Sequence, residues 1–176
     1  MTPITTHEGR QVVRGSFTEP TPFLVSMRLV LRMIAGRTRS EKGRPPRAID
    51  VGCGNGRNSE WLKREGWDVL SFDLKPDYGH PLDLTARGLP VFSRDAELVL
   101  LQFVLMFLDD DAIARAWGSA LSAVASPGMI VVEMAAVKSS LHPRPRLAWH
   151  LGQIAAAGRM VFPHSRRSGL RLAMWS

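Results

Sequence analysis

The apolar positions change period along the chain, and each change marks an element. From Pro22 to Gly36 apolar residues fill most positions, while Arg28 and Arg32 sit one turn apart on the remaining stripe, which predicts a helix. A charged connector, Arg37–Arg47, follows it. Ala48–Val51 is a short apolar run stopped by a glycine-rich turn, the pattern of a buried parallel strand. Asn58–Glu65 reads as a helix ended by Gly66, and Asp68–Phe72 as a second strand with Asp73 at its tip. His80–Leu84 reads as a very short third strand and Leu98–Leu101 as a fourth. Asp109 is placed to cap an amphipathic helix whose Ile113, Ala116, Trp117, Ala120, Leu121 and Val124 share a face. Pro127-Gly128 is expected to end that helix and Met129–Glu133 to form a fifth strand. Leu147–Ala157 reads as a helix closed by Gly158, and Met160–Pro163 with Leu170–Trp175 as an antiparallel hairpin around Arg166–Gly169. Strands alternating with helices predict an α/β fold: a doubly wound, mostly parallel, Rossmann-like sheet with a C-terminal antiparallel hairpin.

Composition narrows the class. At 176 residues, 45% hydrophobic and 22% charged, the chain has the size and balance of one globular domain. The single cysteine, Cys53, excludes an internal disulfide and argues against a cysteine-built zinc site. His7, His80, His142, His150 and His164 show no metal-ligand spacing, so no metal is expected. Met1–Arg10 has no apolar stretch of the signal-peptide kind, and the longest apolar run, Leu98–Leu108, is 11 residues where a membrane span needs about 20. A soluble, cytoplasmic protein without a membrane partner is expected. Charge divides the chain into three parts. Residues 1–47 hold nine basic and three acidic residues (net +6), residues 48–134 seven and thirteen (net −6), and residues 135–176 seven and none (net +7). An acidic core between basic flanks suggests flanks that meet something anionic.

The chemistry concentrates in Asp50-Val51-Gly52-Cys53-Gly54-Asn55-Gly56, a strand running through a turn into a helix. Three alternate glycines permit a sharp turn and the close approach of a ligand. A dinucleotide fingerprint fails here, because Arg57 or Ser59 stands where its third glycine belongs, and no GxxxxGK[ST] phosphate loop occurs. Asp50, two residues before the first glycine, would repel a pyrophosphate but attract a ligand bearing an ammonium and a sulfonium. Asp73 lies at the tip of the next strand, where a carboxylate can accept both hydroxyls of a ribose. Asp83 follows the third strand and could receive an adenine amino group.

These segments resemble the class I S-adenosylmethionine-dependent methyltransferases, and most of all the tellurite-resistance and thiopurine methyltransferase group. The residues that carry the resemblance are Ile49–Asp73, Leu98–Asp110 and Ser126–Glu133, about half the chain. The resemblance implies one methyltransferase domain over residues 1–176: a basic N-terminal helix and connector (1–47), a cofactor-binding core (48–134) and a basic C-terminal helix and hairpin (135–176). It implies S-adenosylmethionine as cofactor, with Gly52, Gly54 and Gly56 lining the methionine part, Asp73 the ribose, and Asp50, Cys53, Asn55 and Leu74 also among the cofactor-binding residues. Arg57 and Asn58 would open the helix near the methionine carboxylate. Asp83 and Leu84 would match the acidic-apolar pair beside adenine, and Gln102 and Phe103 the positions under the methionine and methyl group. Asp83 follows Asp73 by only ten positions, so the sheet is expected to be shortened between its second and fourth strands, leaving apolar surface that a homodimer would cover.

In-line displacement from a sulfonium rests mainly on positioning, and no catalytic side chain can be singled out. The DNA amino-methylation motif (N/D)PP(Y/F/W) is replaced by Gln102-Phe103-Val104, and the only thiol that could attack a base sits in the cofactor turn. A small nucleophilic acceptor, thiol or metalloid-like, is therefore expected. The alternative is a nucleic-acid-associated methyltransferase, or a non-catalytic cofactor-binding protein, using its basic flanks.

Overall fold

The computed structural model describes residues 3–5, 11–13, 18–74, 78–86, 95–135 and 169–175. Strands β1 (Pro3–Thr5) and β2 (Gln11–Val13) pair antiparallel by themselves. Helices α1 (Pro22–Ser26) and α2 (Arg28–Lys42) follow, then β3 (Arg47–Val51), α3 (Arg57–Arg64), β4 (Asp68–Asp73) and β5 (His80–Pro81). Next come β6 (Ala96–Gln102), a short 3-10 turn (Leu105–Phe107), α4 (Asp110–Ala123), β7 (Val124–Ala135) and β8 (Gly169–Trp175). The main sheet has the order β5-β4-β3-β6-β7-β8, parallel throughout except for β8. The doubly wound sheet is thus as expected, and β8 pairs antiparallel with β7 from Met129↔Trp175 to Ala135↔Gly169. The other arm of the expected hairpin, Met160–Pro163, and the helix Leu147–Ala157 lie outside the described residues.

Alternation along the strands divides the core in two. Ile49, Val51, Val99, Leu101, Ile130 and Val132 face α4, whose buried face is built of Ala112, Ile113, Ala116, Ala120 and Ala123, small enough to let the helix lie close. Ala48, Leu98, Leu100, Met129 and Val131 face α1, α2 and α3 together with Trp61, Leu62 and Trp67. Among the described residues, no helix is long and apolar enough to cross a membrane.

Three boundaries differ from the sequence reading. The expected helix Pro22–Gly36 breaks at Met27 and then runs on through Gly36 to Lys42, so most of the supposed connector is helical. Thr38 is buried, an Arg37–Glu41 ion pair spans one turn, and Gly43 ends the helix in the left-handed conformation. Pro127-Gly128 does not end α4, which stops at Ala123. It lies in a bulge of β7, whose pairing with β6 jumps from Ala96↔Val124 to Leu98↔Met129. The third strand is trimmed to His80–Pro81, because Asp83 turns back on Thr85.

The sheet is short at that edge, and Tyr78 covers part of the gap. Its hydroxyl accepts from Lys63 Nζ (2.5 Å) and donates to Glu60, and the Lys63 ammonium lies 4.9 Å from its ring centroid. Leu70 and Leu74 remain exposed (40% and 49%) along the same edge.

The amino ends of β3 and β6 are held by one carboxylate. Glu97 is 1% exposed and accepts from Lys42 Nζ (2.8 Å), Arg44 (2.9 and 3.1 Å) and the Arg47 backbone N–H (2.8 Å). Burial alone would raise its pKa, but these donors outweigh it and hold the carboxyl below the usual glutamate range. A lowered value means stability that is present at neutral pH and lost as pH falls through that value. Glu97→Gln should therefore cost roughly 1–3 kcal/mol at pH 7, with the gap from the native chain closing at acid pH. Urea melts at a series of pH values check this; a pH-independent gap contradicts it.

Candidate cofactor and methyl-transfer site

The chain leaves β3 for one side of the sheet through β4 and β5, and builds the other side from β6 and β7. Strand order reverses between β3 and β6, and ligands in open α/β sheets bind in the crevice beyond the carboxyl ends at such a point. The glycine turn after β3 and the Gln102-Phe103 end of β6 flank that crevice.

The turn is built by glycine. Gly54 (φ 58°) and Gly56 (φ 79°) are both left-handed, but for different surroundings. A Cβ on Gly56 would come within 2.4 Å of the Tyr78 ring, whereas one on Gly54 would meet nothing within 4 Å. Gly56 is packed against protein, and Gly54 borders open space that a ligand can enter. The Gly54 N–H donates to Asp73 Oδ2 (2.8 Å), which joins the turn to the tip of β4. Cys53 is buried and its thiol donates to the Tyr78 carbonyl (3.2 Å), while Asn55 is exposed.

Asp50 sits beneath the turn. It is 2% exposed, accepts from Ser59 Oγ (2.5 Å), and Ser59 in turn accepts from Ser71 Oγ (2.8 Å). Burial is the main cause that pushes its pKa up to about 6; the Ser59 hydrogen bond works against it, Asp73 repels, and Arg57 attracts. Arg57, half-buried, has its own pKa lowered by burial, countered by Glu133 and Asp50.

On the same sheet face, a polar layer closes the carboxyl ends of β6 and β7. Gln102 and Glu133 are register partners and hydrogen bonded (Nε2 to Oε2, 2.9 Å). Gln102 also binds Asn58 and Thr21, and all four residues are buried. Phe103 takes φ 57°, and its N–H donates to the Glu133 carbonyl (2.6 Å), so the chain turns sharply at the crevice. A non-glycine residue held there is strained, as residues at functional sites often are.

The structure thus brings together Asp50, Gly52–Asn58, Asp73, Gln102 and Phe103. Leu74 stands exposed just beyond Asp73. Asp83 and Leu84 lie farther along the edge, past β5. The Asp83 carboxylate accepts from the backbone and hydroxyl of Thr85, which holds its pKa below the usual aspartate range, and Leu84 is buried in the α4-side core. Sequence reasoning passed over Thr21, Ser59, Ser71 and Glu133. Glu133 carried a legible signal, a lone acid ending an otherwise apolar strand.

Arg28 and Arg32 lie elsewhere. Both pair with Glu65 (2.5 and 3.1 Å), just past the carboxyl end of α3, which the antiparallel course of that helix puts at the amino edge of the sheet. Arg39, Lys42, Arg44 and Arg47 are bound at this edge too. Arg144, Arg146, Arg166 and Arg167 lie outside the described residues.

The fold and part of the sequence are similar to known proteins. The family model of the tellurite resistance protein TehB matches residues 39–85, about a quarter of the chain, from the end of α2 through the glycine turn to Thr85. The fold is similar to a TehB-like S-adenosylmethionine-dependent methyltransferase from Corynebacterium glutamicum (TM-score 0.59, 19% identity, 88% of this chain and 97% of that one). It is also similar to the 1,6-didemethyltoxoflavin-N1-methyltransferase of Burkholderia thailandensis, whose structure holds 1,6-didemethyltoxoflavin and S-adenosylhomocysteine (TM-score 0.58, 14% identity, 100% and 99%). The chain has the fold of a class I S-adenosylmethionine-dependent methyltransferase. A DhpI complex with S-adenosylhomocysteine is similar as well (TM-score 0.57, 17% identity, 88% and 87%). Curated protein sequences give no match.

In this methyltransferase fold the buried Asp50 makes a pH signature. Its raised pKa means that its contribution to stability is full below the ordinary aspartate range and is lost as pH rises through about 6. Asp50→Asn removes that loss, so between pH 4 and pH 7 the variant should gain up to about 3 kcal/mol on the native chain. Denaturant melts at both pH values test it; an unchanged difference contradicts it.

Proposed function

We propose that the protein is an S-adenosylmethionine-dependent methyltransferase acting on a small nucleophilic acceptor, a thiol or a metalloid-like anion. The observation that carries this reading is the Gly54–Asp73 hydrogen bond at the point where strand order reverses, beside a turn with open space over Gly54. When bound, S-adenosylmethionine supplies a methyl group already activated on a sulfonium.

The residues fit that ligand. Gly54 lets it approach the backbone, Asp73 accepts the ribose hydroxyls, and Leu74 borders the adenosine. Gly52, Cys53, Asn55 and Gly56 shape the turn around the methionine part. The first turn of α3, with Arg57 and Asn58, offers N–H groups and positive charge to the methionine carboxylate. Asp50 stands behind the turn and makes its surroundings negative. Asp83 and Leu84 belong to the adenine edge in this reading.

The way the carboxylates are used supports this acceptor class. Asp50 is bound by Ser59, Asp73 by the Gly54 amide and Glu133 by Gln102. An acceptor that arrives as an anion needs no proton removed, and an α/β crevice that aligns two reactants supplies most of the catalysis. The match to a tellurite resistance family favours the same class. The placement of Arg28 and Arg32 at the opposite edge, both paired, argues against duplex DNA as the acceptor.

Asp73→Ala should weaken S-adenosylhomocysteine binding by two charge-assisted hydrogen bonds, about 1.5–3 kcal/mol each. Calorimetry checks this, and unchanged affinity contradicts it. Product release over a panel of thiols, selenite, tellurite, tRNA and DNA should show turnover on the small anions. Turnover confined to nucleic acid overturns the acceptor class.

The same reading includes a homodimer through the short edge, where Leu70 and Leu74 stand exposed. Light scattering should give twice the monomer mass at micromolar concentration, and a monomer mass removes the dimer.

A further inference from the structure

Gln102 holds an unusual position for a residue at a ligand crevice, because both hydrogens of its amide are given to protein. Thr21 donates its backbone N–H to Asn58 Oδ1 (2.9 Å), Asn58 Nδ2 donates to Gln102 Oε1 (2.8 Å), and Gln102 Nε2 donates to Thr21 Oγ1 (2.8 Å). These three bonds close a ring. The second Nε2 hydrogen goes to Glu133 Oε2 (2.9 Å). An amide has two hydrogens to give, and both are committed.

The ring joins places far apart in the chain. Thr21 caps α1, Asn58 lies in the first turn of α3 directly after the glycine turn, Gln102 ends β6 and Glu133 lies near the end of β7. Exposures of 1%, 7%, 5% and 1% make each lost partner expensive, since a stripped donor or acceptor here cannot find water. The preceding residues on the same face, Leu98 and Leu100 on β6 and Met129 and Val131 on β7, are apolar. The layer turns polar only where the strands reach the crevice. Packing alone would be served as well by leucine or methionine, so the polar ring is better explained by what it positions.

We propose that Gln102 is a positioning residue rather than a cofactor ligand, and that through the Thr21–Asn58–Gln102 ring it couples docking of the chain at Thr21 to the cofactor-binding arrangement of the Gly54–Asn58 turn. This rests on the reading that the turn binds S-adenosylmethionine. Coupling is reciprocal: if docked Thr21 favours the binding form of the turn, bound cofactor favours docked Thr21.

The test compares the full chain with Thr21→Val, which removes the ring's acceptor, and Thr21→Ser, which restores it. S-adenosylhomocysteine is titrated into each by calorimetry. The valine variant should bind on the order of 10-fold more weakly, within the usual range of coupling between sites, and the serine variant should bind like the native chain. Equal affinity for native and valine forms overturns the proposal, as does an equal loss in the serine form. Should the valine variant fail to fold, the native chain still decides. S-adenosylhomocysteine should slow amide hydrogen exchange at the start of α1, around Leu24 and Val25, and unchanged exchange there overturns the coupling. A native chain that binds no S-adenosylhomocysteine overturns the cofactor reading itself, a result distinct from binding that is indifferent to Thr21.

Discussion

Three buried polar side chains at the carboxyl ends of three adjacent strands set the conditions the rest of the structure must meet. Asp50 on β3, Gln102 on β6 and Glu133 on β7 all point to the face covered by α1, α2 and α3, and none is more than 5% exposed. A buried polar group without partners costs more than a hydrogen bond gains, so each must be answered from the covering elements. Ser59 and Asn58, a residue apart on α3, answer Asp50 and Gln102, and Thr21 brings the start of α1 to the same layer. The helix that follows the glycine turn is thereby fixed in place by the bonds that make the strand ends tolerable. Fold and site share one set of interactions.

Charge is arranged by the same economy. Basic residues of α2 and of the segment after it are gathered at the amino edge, where Glu65 takes Arg28 and Arg32, and Glu97 takes Lys42 and Arg44. The carboxyl edge keeps Asp50, Asp73 and Glu133. The sequence suggested basic flanks that meet something anionic, and what Arg28 and Arg32 meet is Glu65, at the amino edge of the sheet. Linear charge counts do not reveal which edge a helix end reaches. That depends on α3 running antiparallel to the strands and so delivering Glu65 to the amino edge.

Much of the sheet was legible because alternate burial leaves a period in the sequence. The runs Ala48–Val51, Asp68–Phe72, Leu98–Leu101 and Met129–Glu133 each fall inside an observed strand. The glycine turn was legible because few other constraints put three glycines at alternate positions. The breaks in α1 and α2 were not. Gly36 and the charged stretch after it look like a connector, but Thr38 packs inward and Arg39 reaches the Gly66 carbonyl (2.9 Å), contacts that tertiary structure supplies and local pattern does not. Thr21 was missed for a related reason. Its partner Gln102 lies 81 positions away in the chain, so its meaning appears only once the elements are side by side.

In the proposed function the ligand binds at the carboxyl edge, at the β3–β6 reversal. Nuclear magnetic resonance of the isotopically labelled chain, titrated with S-adenosylhomocysteine, tests this residue by residue. Amide shifts should move at Gly52–Asn58, at Asp73 and Leu74 and at Gln102 and Phe103, while Arg47 and Glu97 at the amino edge stay still. Shifts confined to the amino edge, or none at saturating ligand, would contradict it.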